Sequence, residues 1–453
     1  MFTIREIIEA TGGKLTRGPA RASVRGVSID SRTVRKGDLF IAIKGDTFDG
    51  HDFVRDVVGK GIRVVLVAKP AAVKNKNAAV IRVADTIRAL GHLACFHRMR
   101  FKIPVIAVTG SAGKTTTKEM IAAVLRRKYT VLKNEGTQNN HIGVPMTLLK
   151  LKKSHQVAVL ECATNQPGDI PWLAQVVRPD IAVFTNVGGS HLEGLKDTHG
   201  VLREKWQMTS FMPRRAKVVI NADDPLLAAH CAREKKLNVI TYAVGAKARF
   251  QAKDIGVVRG CRLRLVLEGK TIELRSCGRN NAYNALAAFA CGRLLGVVPR
   301  AAAKALSAFC FPKGRQEFIR WGRGWLIDDS YNANPVSMAC AIETLSVLRT
   351  PGKKILVAAD MLELGTKSAA YHRNAGKMAA RLGVDVIITV GPLSRNIARG
   401  AVAVRPDMPV FSYNDACGAR TKLREIRANG DAVLVKGSRR MKMEEIVRSL
   451  LKG

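Results

Sequence analysis

The segment that decides the fold lies at residues 103–120, which read IPVIAVTGSAGKTTTKEM. An apolar run from Val105 leads into a turn with two glycines, Gly110 and Gly113, and a helix is predicted over about 118–127. Glycines let backbone N–H groups close around phosphate oxygens, and the amino end of a helix adds positive potential there. The pattern therefore predicts a phosphate-binding loop that joins a strand to a helix.

The residues after the glycines are those that a nucleoside triphosphate requires. Lys114 can reach the β- and γ-phosphates, and the Thr115 hydroxyl can ligate Mg²⁺. The longer consensus G-x-x-x-x-G-K-[ST] has a glycine where this chain has Val108, so the loop is a compact variant. We expect phosphate contacts from the whole loop, which consists of Gly110, Ser111, Ala112, Gly113, Lys114, Thr115 and Thr116.

Two further polar residues follow apolar runs that are typical of parallel strands. Glu161 ends the run VAVLE and is predicted to hold the magnesium ion, because an acid at the end of a strand can face the phosphates. An ordinary strand-end acid is the alternative for this residue taken alone. His191 follows the run IAVFTN at 181–186, and a packed or surface histidine is the alternative there.

Apolar runs alternate with helical patterns along the chain, which predicts α/β domains with parallel sheets. A length of 453 residues suggests roughly three domains. We expect a small mixed α/β domain over 1–84, a central parallel-sheet domain with the phosphate loop over 85–311, and a Rossmann-like α/β domain over 312–453. Strands are predicted to begin near Asp38, Val64, Ala79, Val105, Val157, Ile181, Val218, Trp325, Lys354, Val384 and Ala432, with a helix over 86–100.

Composition excludes several classes of protein. Hydrophobic residues make up 47% of the chain and charged residues 25%, which is unlike a disordered or fibrous protein. No apolar run approaches the ~20 residues that cross a bilayer, and the first residues have no apolar secretory core. The nine cysteines include no C-x-x-C pair, so free thiols are expected rather than disulfides or a zinc site. A soluble cytoplasmic protein is the expectation.

The charge balance is unusual, with 75 Lys and Arg against 36 Asp and Glu and a net charge of +39. A field of this sign attracts polyanions, and a P-loop protein whose ATPase responds to nucleic acid would bind strands in a salt-sensitive manner. The basic residues are spread along the chain, however, and aromatic residues make up only 5%. A compositional bias is the favoured interpretation, and no nucleic-acid partner is expected.

Taken together, the motifs resemble the Mur ligases, the ATP-dependent amide-forming enzymes of peptidoglycan assembly. The resemblance covers nearly the whole chain and is closest to the branch that adds D-alanyl-D-alanine to UDP-N-acetylmuramoyl-tripeptide. The segments that carry it are IDSR at 29–32, GDLFIAIKG at 37–45, DGHDF at 49–53, TGSAGKTTTKE at 109–119, GTQNNHIGVPMTLL at 136–149, ECATNQPGDI at 161–170, TNVGGSHLEG at 185–194, NADDP at 221–225, KGRQE at 313–317, DDSYNANPVSM at 328–338, DMLELG at 360–365 and VKGSR at 435–439.

The resemblance implies a two-step reaction in which ATP first phosphorylates the terminal carboxylate of the tripeptide. The amine of D-alanyl-D-alanine then attacks the acyl phosphate, and phosphate leaves. It also implies two Mg²⁺ ions, a monomer without membrane insertion, and closure of three domains around the small-molecule substrates. Within this scheme Lys114, Glu161, His191 and Lys205 are the catalytic residues, and the metal ligands are Thr115, Glu161, His191 and a carbamylated Lys205.

The remaining site residues are also implied by the resemblance. Asn281 and Asn284 match the segment that contacts adenine, and Arg315 and Asp329 match positions that bring the last domain onto ATP. Tyr331, Asn332, Asn334 and Lys436 match the dipeptide or phosphate side. The uridine diphosphate end is matched by Ser31, Arg32, Asp49, Gly50 and His51.

This chain departs from the family pattern at several positions. Asn280 replaces a histidine in the adenine segment, Ala163 and Ala359 replace glycines, and Trp206 with Gln207 follows Lys205 where G-E is usual. The main phosphate and metal residues are present, so an active enzyme is expected rather than an inactive paralogue. A ligase of the same fold with another amine acceptor is the second interpretation.

Overall fold

The computed structural model describes residues 1–71, 73–258 and 261–451. Its first region is a mixed α/β unit made of β1 (Phe2–Thr3), α1 (Ile4–Thr11), β2 (Lys14–Arg17), β3 (Ser23–Val24), β4 (Gly26–Ser28), β5 (Asp38–Ile41), α2 (Val54–Gly59), β6 (Val64–Val67), β7 (Ala79–Arg82) and α3 (Thr86–Met99). The main sheet has the order β2-β7-β6-β5-β4. β4 to β7 run parallel and β2 pairs antiparallel with β7, while β1 and β3 form a separate antiparallel ribbon.

The central region carries the phosphate loop on a seven-stranded parallel sheet. Its elements are β8 (Val105–Thr109), α4 (Lys114–Leu125), β9 (Val131–Lys133), α5 (Gly143–Leu148), β10 (Val157–Glu161), α6 (Asp169–Val177), β11 (Ile181–Phe184), α7 (Leu192–Leu195), α8 (Thr198–Trp206), β12 (Lys217–Asn221), α9 (Pro225–Cys231), β13 (Asn238–Ala243), β14 (Phe250–Gln251), β15 (Lys253–Val258), β16 (Arg262–Leu267), β17 (Lys270–Leu274), α10 (Asn280–Leu294) and α11 (Pro299–Ser307). The sheet has the order β14-β13-β12-β11-β8-β10-β9, and β15-β16-β17 form a small antiparallel sheet.

The C-terminal region is a second doubly wound unit. It consists of β18 (Glu317–Trp321), β19 (Gly324–Asp329), α12 (Pro335–Val347), β20 (Lys354–Ala359), α13 (Ser368–Arg381), β21 (Val386–Val390), α14 (Arg395–Val402), β22 (Val410–Tyr413), α15 (Ala416–Ile426), β23 (Ala432–Lys436) and α16 (Glu444–Leu451). The sheet order is β18-β19-β23-β20-β21-β22, parallel except for the edge strand β18. The predicted three-domain α/β architecture is therefore confirmed.

The middle strands of the central sheet, β8, β10 and β11, are fully buried on both faces, as parallel strands covered by helices require. One face shares a continuous apolar core with the N-terminal region, in which Phe2 and Ile4 pack with the residues of β8 and α3. The other face packs against α4, α10, α11 and the small antiparallel sheet. Because α3 contacts both α1 and α5, it joins the first region to the second.

One predicted helix needs correction, and one sheet was not predicted. The helix after the phosphate loop begins at Lys114 rather than near Lys118. β-branched residues have low helix propensity, but the threonines at 115–117 are all buried, and tertiary packing overrides that preference. The antiparallel sheet was not predicted, although RLRLVL at 262–267 has leucine at every second position and the turn Glu268-Gly269 has positive φ angles at both residues.

Across the described ranges, no helix combines the length and the apolar character that a membrane span needs.

Candidate functional site

The phosphate loop has a backbone that only glycine can adopt at two points. Gly110 has a φ of 148°, and a Cβ added there would lie 1.9 Å from Thr185 Oγ1. Gly113 has a φ of 80°, and its Cβ would lie 2.5 Å from Asn284 Oδ1. The loop therefore packs against the segment after β11 and against α10, and a side chain at either glycine would force them apart.

The segment that follows β11 holds the loop in place. The main-chain O of Asn186 accepts a hydrogen bond from the Ser111 N–H over 3.0 Å, and its side-chain Oδ1 accepts one from Ala112 N–H over 2.9 Å. The Ser111 hydroxyl donates to Gly188 O over 2.9 Å. Lys114 Nζ donates back to Gly110 O over 2.8 Å. Hydrogen bonds from neighbouring protein groups therefore hold the loop in one conformation, and α4 begins directly at the loop.

Glu161 lies at the carboxyl end of β10, next to the loop. The Thr115 hydroxyl donates to Glu161 Oε2 over 2.6 Å, and Asn139 Nδ2 donates to Oε1 over 2.8 Å. A hydroxyl and a carboxylate side by side are the kind of oxygen donors that Mg²⁺ takes from a protein, since it fills its other positions with water and phosphate oxygens. These two residues fit the first magnesium ion that the loop implies.

Within the described ranges, no three His, Cys, Asp or Glu side chains converge as a metal-binding group. Lys114 is half-buried, and burial lowers the pKa of its ammonium group, an effect that Glu161 opposes and Arg315 adds to.

Lys205 lies on α8 with only 1% of its surface exposed. Burial lowers the pKa of its amine well below the ordinary value, and the positive charge of Lys114 lowers it further. Glu204 opposes the shift, but its carboxylate accepts hydrogen bonds from the N–H groups of Gly168 and Ile170, at the start of α6. A neutral amine in this position is the form that reacts with CO₂.

His191 follows β11 and reaches into the C-terminal domain. Its Nδ1 lies 2.6 Å from Glu363 Oε2, and this hydrogen bond holds the pKa of Glu363 below the usual range. With Nδ1 as the donor to a carboxylate, Nε2 is left to face the cavity. A histidine that is oriented in this way is typical of metal ligands, so His191 fits a second ion in its orientation.

The two asparagines of the predicted adenine segment are buried and lie in a chain of hydrogen bonds. The Thr117 hydroxyl donates to Asn284 Oδ1 over 3.0 Å, and Asn284 Nδ2 donates to Asn281 Oδ1 over 2.9 Å. Asn281 Nδ2 then donates to Gln316 Oε1 over 3.0 Å. The chain continues through the Gln316 N–H, which donates to Asp329 Oδ1 over 3.1 Å. The phosphate-loop helix is thereby connected to the C-terminal sheet.

The C-terminal domain presents a buried ion pair to the same place. Lys436 Nζ lies 2.7 Å from Asp329 Oδ2 and donates to Asn332 O over 2.9 Å. Burial raises the pKa of Asp329, and Lys436 opposes the shift. The Arg315 guanidinium lies over the Tyr331 ring, 4.1 Å from its centroid.

Asn334 links the two domains directly at the phosphate loop. It is the N-cap of α12 and its side chain accepts from the Ser337 N–H, while its Nδ2 donates to Ser111 O over 3.0 Å. A single side chain therefore starts a C-terminal helix and contacts the central domain.

These groups surround one cavity of about 650 Å³ that lies between the central and C-terminal domains, a size suited to a nucleotide. The predicted site residues that line it are Ser111, Ala112, Gly113, Lys114, Thr116, Glu161, His191, Asn281, Asn284, Arg315, Asp329, Tyr331, Asn332, Asn334 and Lys436. Gly110, Thr115 and Lys205 are not in its lining, although Thr115 contacts Glu161 directly.

The residues predicted for the uridine diphosphate end do not line this cavity. Ser31 and Arg32 lie in the first region, where Arg32 pairs with Asp30 over 2.7 Å. The turn Asp49-Gly50-His51 is held to the end of β6, because His51 Nε2 accepts from the Ala68 N–H over 2.9 Å and Asp49 pairs with Lys69 over 2.8 Å. These five residues lie in the first region and outside the lining of the cavity.

Sequence reasoning missed several groups that complete the site. Asn139 and Asn186 carry side chains that bond Glu161 and the loop, and Gln316 and Glu363 connect the domains. All four residues lie in segments that carry the family resemblance, but their partners are 22 to 172 residues away along the chain, so no local pattern assigned them a role. Asn280, which replaces the family histidine, has a buried Oδ1 that finds no partner within the described ranges.

Three family models of Mur ligase domains match successive parts of this chain. The "Mur ligase family, catalytic domain" matches residues 23–98, the "Mur ligase middle domain" matches 108–292, and the "Mur ligase, glutamate ligase domain" matches 314–439.

The chain is also similar to curated proteins and solved structures over nearly its whole length. It is 36% identical to the UDP-N-acetylmuramoyl-tripeptide--D-alanyl-D-alanine ligase of Bacillus subtilis, covering 100% of this chain and 98% of that protein. The Escherichia coli enzyme of the same name is 34% identical, over 99% and 98%. A crystal structure of MurF from Acinetobacter baumannii superposes with a TM-score of 0.92 at 31% identity, over 100% and 99%. The MurF ligase of Thermotoga maritima in complex with ADP gives 0.85 at 28%, over 95% and 97%. The chain belongs to the Mur ligase family, in the branch of the UDP-N-acetylmuramoyl-tripeptide--D-alanyl-D-alanine ligases.

Proposed function

We propose that this chain joins D-alanyl-D-alanine to UDP-N-acetylmuramoyl-tripeptide and uses ATP to drive the amide bond. The observation that carries the proposal is the cavity itself, in which the phosphate loop and Glu161 face Asp329 and Lys436 of the C-terminal domain. The curated relatives named for this reaction match over the full chain, which supports the same substrates here.

The reaction proceeds in two steps. An oxygen of the terminal carboxylate attacks the γ-phosphorus of ATP, ADP leaves, and an acyl phosphate is formed. The neutral amine of the dipeptide then attacks the acyl carbon to give a tetrahedral species. Its nitrogen loses one proton, and the bond between the acyl carbon and the bridging phosphate oxygen breaks, so that inorganic phosphate leaves with that electron pair and the amide carbonyl forms again. An amine does not displace oxide from a carboxylate, so phosphorylation supplies the leaving group that makes the second step possible.

Positioning and charge neutralisation are the contributions of the protein. Lys114 and the N–H groups at the start of α4 hold the phosphates, and Thr115 and Glu161 hold a magnesium ion, which neutralises charge on the transferred phosphoryl group when it is bound. Arg315 and Lys436 supply positive charge from the opposite wall of the cavity. We expect the adenine to lie near Asn281 and the uridine diphosphate end near the first region.

We further propose a carbamate on Lys205, formed when Nζ attacks CO₂ and one proton leaves. The anion that results would support a second magnesium ion together with His191. Addition of ¹³C-bicarbonate to the protein is expected to give a carbamate carbonyl signal in its NMR spectrum. That signal should be missing from a Lys205→Ala variant, and its absence from the unchanged chain would contradict this part of the proposal.

The full reaction is tested by measuring phosphate release with Mg²⁺ and ATP. We expect release only when UDP-N-acetylmuramoyl-tripeptide and D-alanyl-D-alanine are both present, with formation of the pentapeptide confirmed by mass spectrometry. Tripeptides ending in diaminopimelate or lysine should be compared side by side. A Lys114→Ala variant serves as the control and should lose activity. Release with another D-dipeptide or amino acid, and none with D-alanyl-D-alanine, would assign a different acceptor.

Oligomeric state and location complete the proposal. The cavity is built from one chain, which supports a monomer as the active form. Because the relatives act on a soluble nucleotide-linked precursor, we propose the cytoplasm as the place of the reaction. ATPase activity that does not change when duplex or single strands are added would exclude a nucleic-acid partner.

A further inference from the structure

Lys118 is a fully buried lysine on α4 that the proposed reaction does not use. It lies three positions after Thr115, so the two side chains project from the same face of the helix. Its Nζ donates to the main-chain O of Asn134 over 2.6 Å and lies 2.9 Å from the carboxylate of Glu119. Burying an ammonium group costs free energy unless its N–H donors are hydrogen-bonded. The Lys118 ammonium is therefore expected to hold its acceptor, the main-chain O of Asn134, in place.

Asn134 follows β9 and is itself fully buried. Its Oδ1 accepts a hydrogen bond from the Glu161 N–H over 2.9 Å, and its Nδ2 donates to Glu161 O over 3.0 Å and to Gln138 O over 2.7 Å. The backbone ladder between β9 and β10 ends where Lys133 pairs with Val159. A carboxamide has the donor and acceptor of a peptide group, so Asn134 extends the pairing to Glu161.

These contacts form a closed circuit through both oxygen donors of the proposed magnesium site. The Thr115 hydroxyl bonds the Glu161 carboxylate, and the Glu161 main chain is bonded on both sides by Asn134. The Asn134 main chain is bonded by Lys118, which returns the circuit to α4. Mg²⁺ accepts little deviation from octahedral geometry, so the spacing of these donors is what the circuit would control.

Neighbouring ammonium groups favour the ionised form of Glu119. Burial raises the pKa of Glu119, but the ammonium groups of Lys118 and Lys133 outweigh this and leave it below the usual value. Lys133 lies 3.0 Å from the same carboxylate. The charge of Lys118 is therefore compensated inside the protein, and its contact with Asn134 does not depend on a ligand.

We propose that Asn134 and Lys118 are positioning residues for the magnesium site, which hold the Glu161 backbone at the distance from α4 that a shared ion with Thr115 requires. The inference rests on the nucleotide-binding half of the proposed function. It does not depend on which amine the enzyme accepts.

The test uses Asn134→Ala and Lys118→Met in the full chain and measures binding of a fluorescent non-hydrolysable ATP analogue while Mg²⁺ is titrated. Removal of an outer group that orients a metal ligand typically costs about 10- to 100-fold in metal affinity. We expect the Mg²⁺ concentration at half-maximal effect to rise by about tenfold or more, whereas binding of the analogue in EDTA stays as in the unchanged chain.

A purely structural role would lower stability and leave the magnesium dependence unchanged. Asp180→Ala is the matched control, because Asp180 Oδ2 accepts from the Val105 N–H over 2.9 Å at the opposite end of the same sheet. This variant should lower the melting temperature without changing the Mg²⁺ midpoint. If the Asn134 and Lys118 variants behave like Asp180→Ala, the proposal is wrong.

A milder variant covers the case in which these changes prevent folding. Lys118→Arg keeps the positive charge beside Glu119 and changes only the shape and reach of the donor to Asn134 O, so its Mg²⁺ midpoint should fall between those of the unchanged chain and Lys118→Met. An unchanged midpoint in folded Lys118→Arg and folded Lys118→Met would count against the inference. Mg²⁺-dependent nucleotide binding without D-alanyl-D-alanine ligation would overturn the proposed function while this inference stands.

Discussion

At the level of single residues, three lysines within the described ranges are buried, and each has a different electrostatic environment. Lys118 is paired with Glu119, and Lys436 is paired with Asp329 over 2.7 Å. Lys205 forms no such ion pair among the residues that the structure describes, and burial lowers the pKa of its amine. The same residue type therefore serves as a structural cation, as part of an ion pair facing the cavity, and as an amine that is ready for modification.

The glycines of the phosphate loop allow a direct test of its geometry. Gly110→Ala should abolish binding of an ATP analogue, because the new Cβ would lie 1.9 Å from Thr185 Oγ1 at a φ of 148°. Gly136→Ala is the control, since it also has a positive φ but meets nothing within 4 Å. The control should cost only the backbone strain, about 1 kcal/mol of unfolding free energy, and keep nucleotide binding. Equal binding by both variants would show that the loop tolerates a side chain.

Variants of the buried Asp329–Lys436 ion pair should affect the free energy of unfolding and phosphate release differently. Asp329→Asn leaves a buried ammonium without its charge partner, so we expect the free energy of unfolding to fall by about 3–5 kcal/mol in urea titrations. Adding Lys436→Met should restore much of the loss, since the two are register neighbours on β19 and β23. Phosphate release should be lost in the double variant even though stability recovers, because Lys436 no longer supplies positive charge to the cavity. A double variant as unstable as the single one would contradict this account.

At the scale of elements, the site follows from the order of the central sheet. β8 lies between β10 and β11, so the phosphate loop, Glu161 and the segment of His191 start from neighbouring carboxyl ends. The apolar runs predicted these strands and the loop, because their signals are local. The roles of Asn134 and Glu363 could not be predicted in the same way. Each side chain bonds a residue that is distant in the sequence, Glu161 or His191, and only the fold brings the two together. The start of α4 was missed because burial, not propensity, decides it.

His372 on α13 gives the C-terminal domain a pH dependence. Its Nε2 accepts from the Met361 N–H over 2.9 Å and its Nδ1 contacts Ser368 O over 2.8 Å, and burial lowers its pKa. Between that lowered pKa and the ordinary value near 6.5, the unfolded chain binds more protons. The free energy of unfolding should therefore fall on acidification, by at most about 1.4 kcal/mol per pH unit.

Hydrogen exchange at Met361 reports on this histidine. Protonation of His372 Nε2 removes the acceptor, so the protection factor of the Met361 amide should drop as the pH falls below the ordinary histidine pKa, after correction for intrinsic rates. The Ser394 amide, which donates to Asp360 Oδ1 over 2.7 Å, is the control and should keep its protection over that range. Parallel loss at both amides would indicate general opening of the domain instead.

For the whole molecule, the cavity exists only while two domains are in contact. The N-cap of α12 contacts the phosphate loop through Asn334, and His191 bonds Glu363. Neither contact is extensive, and the domains must separate to admit a long nucleotide-sugar peptide. We therefore expect the contacts between these domains to set the balance between an open and a closed arrangement, and with it the access of substrates.

Glu363→Ala tests that balance because it removes the His191 partner and leaves the phosphate loop and Glu161 untouched. Glu363 is partly exposed, so the bond is worth only about 1 kcal/mol, and the ratio of closed to open molecules should fall roughly fivefold. Small-angle scattering should show a larger radius of gyration without ligands and a smaller difference with them, and the KM for the dipeptide should rise. Glu425→Ala removes a pair of 2.6 Å with Lys422 inside one domain and should change neither quantity. Identical scattering and KM for both variants would mean that His191–Glu363 does not hold the domains together, and Asn334→Ala would then be the next contact to measure.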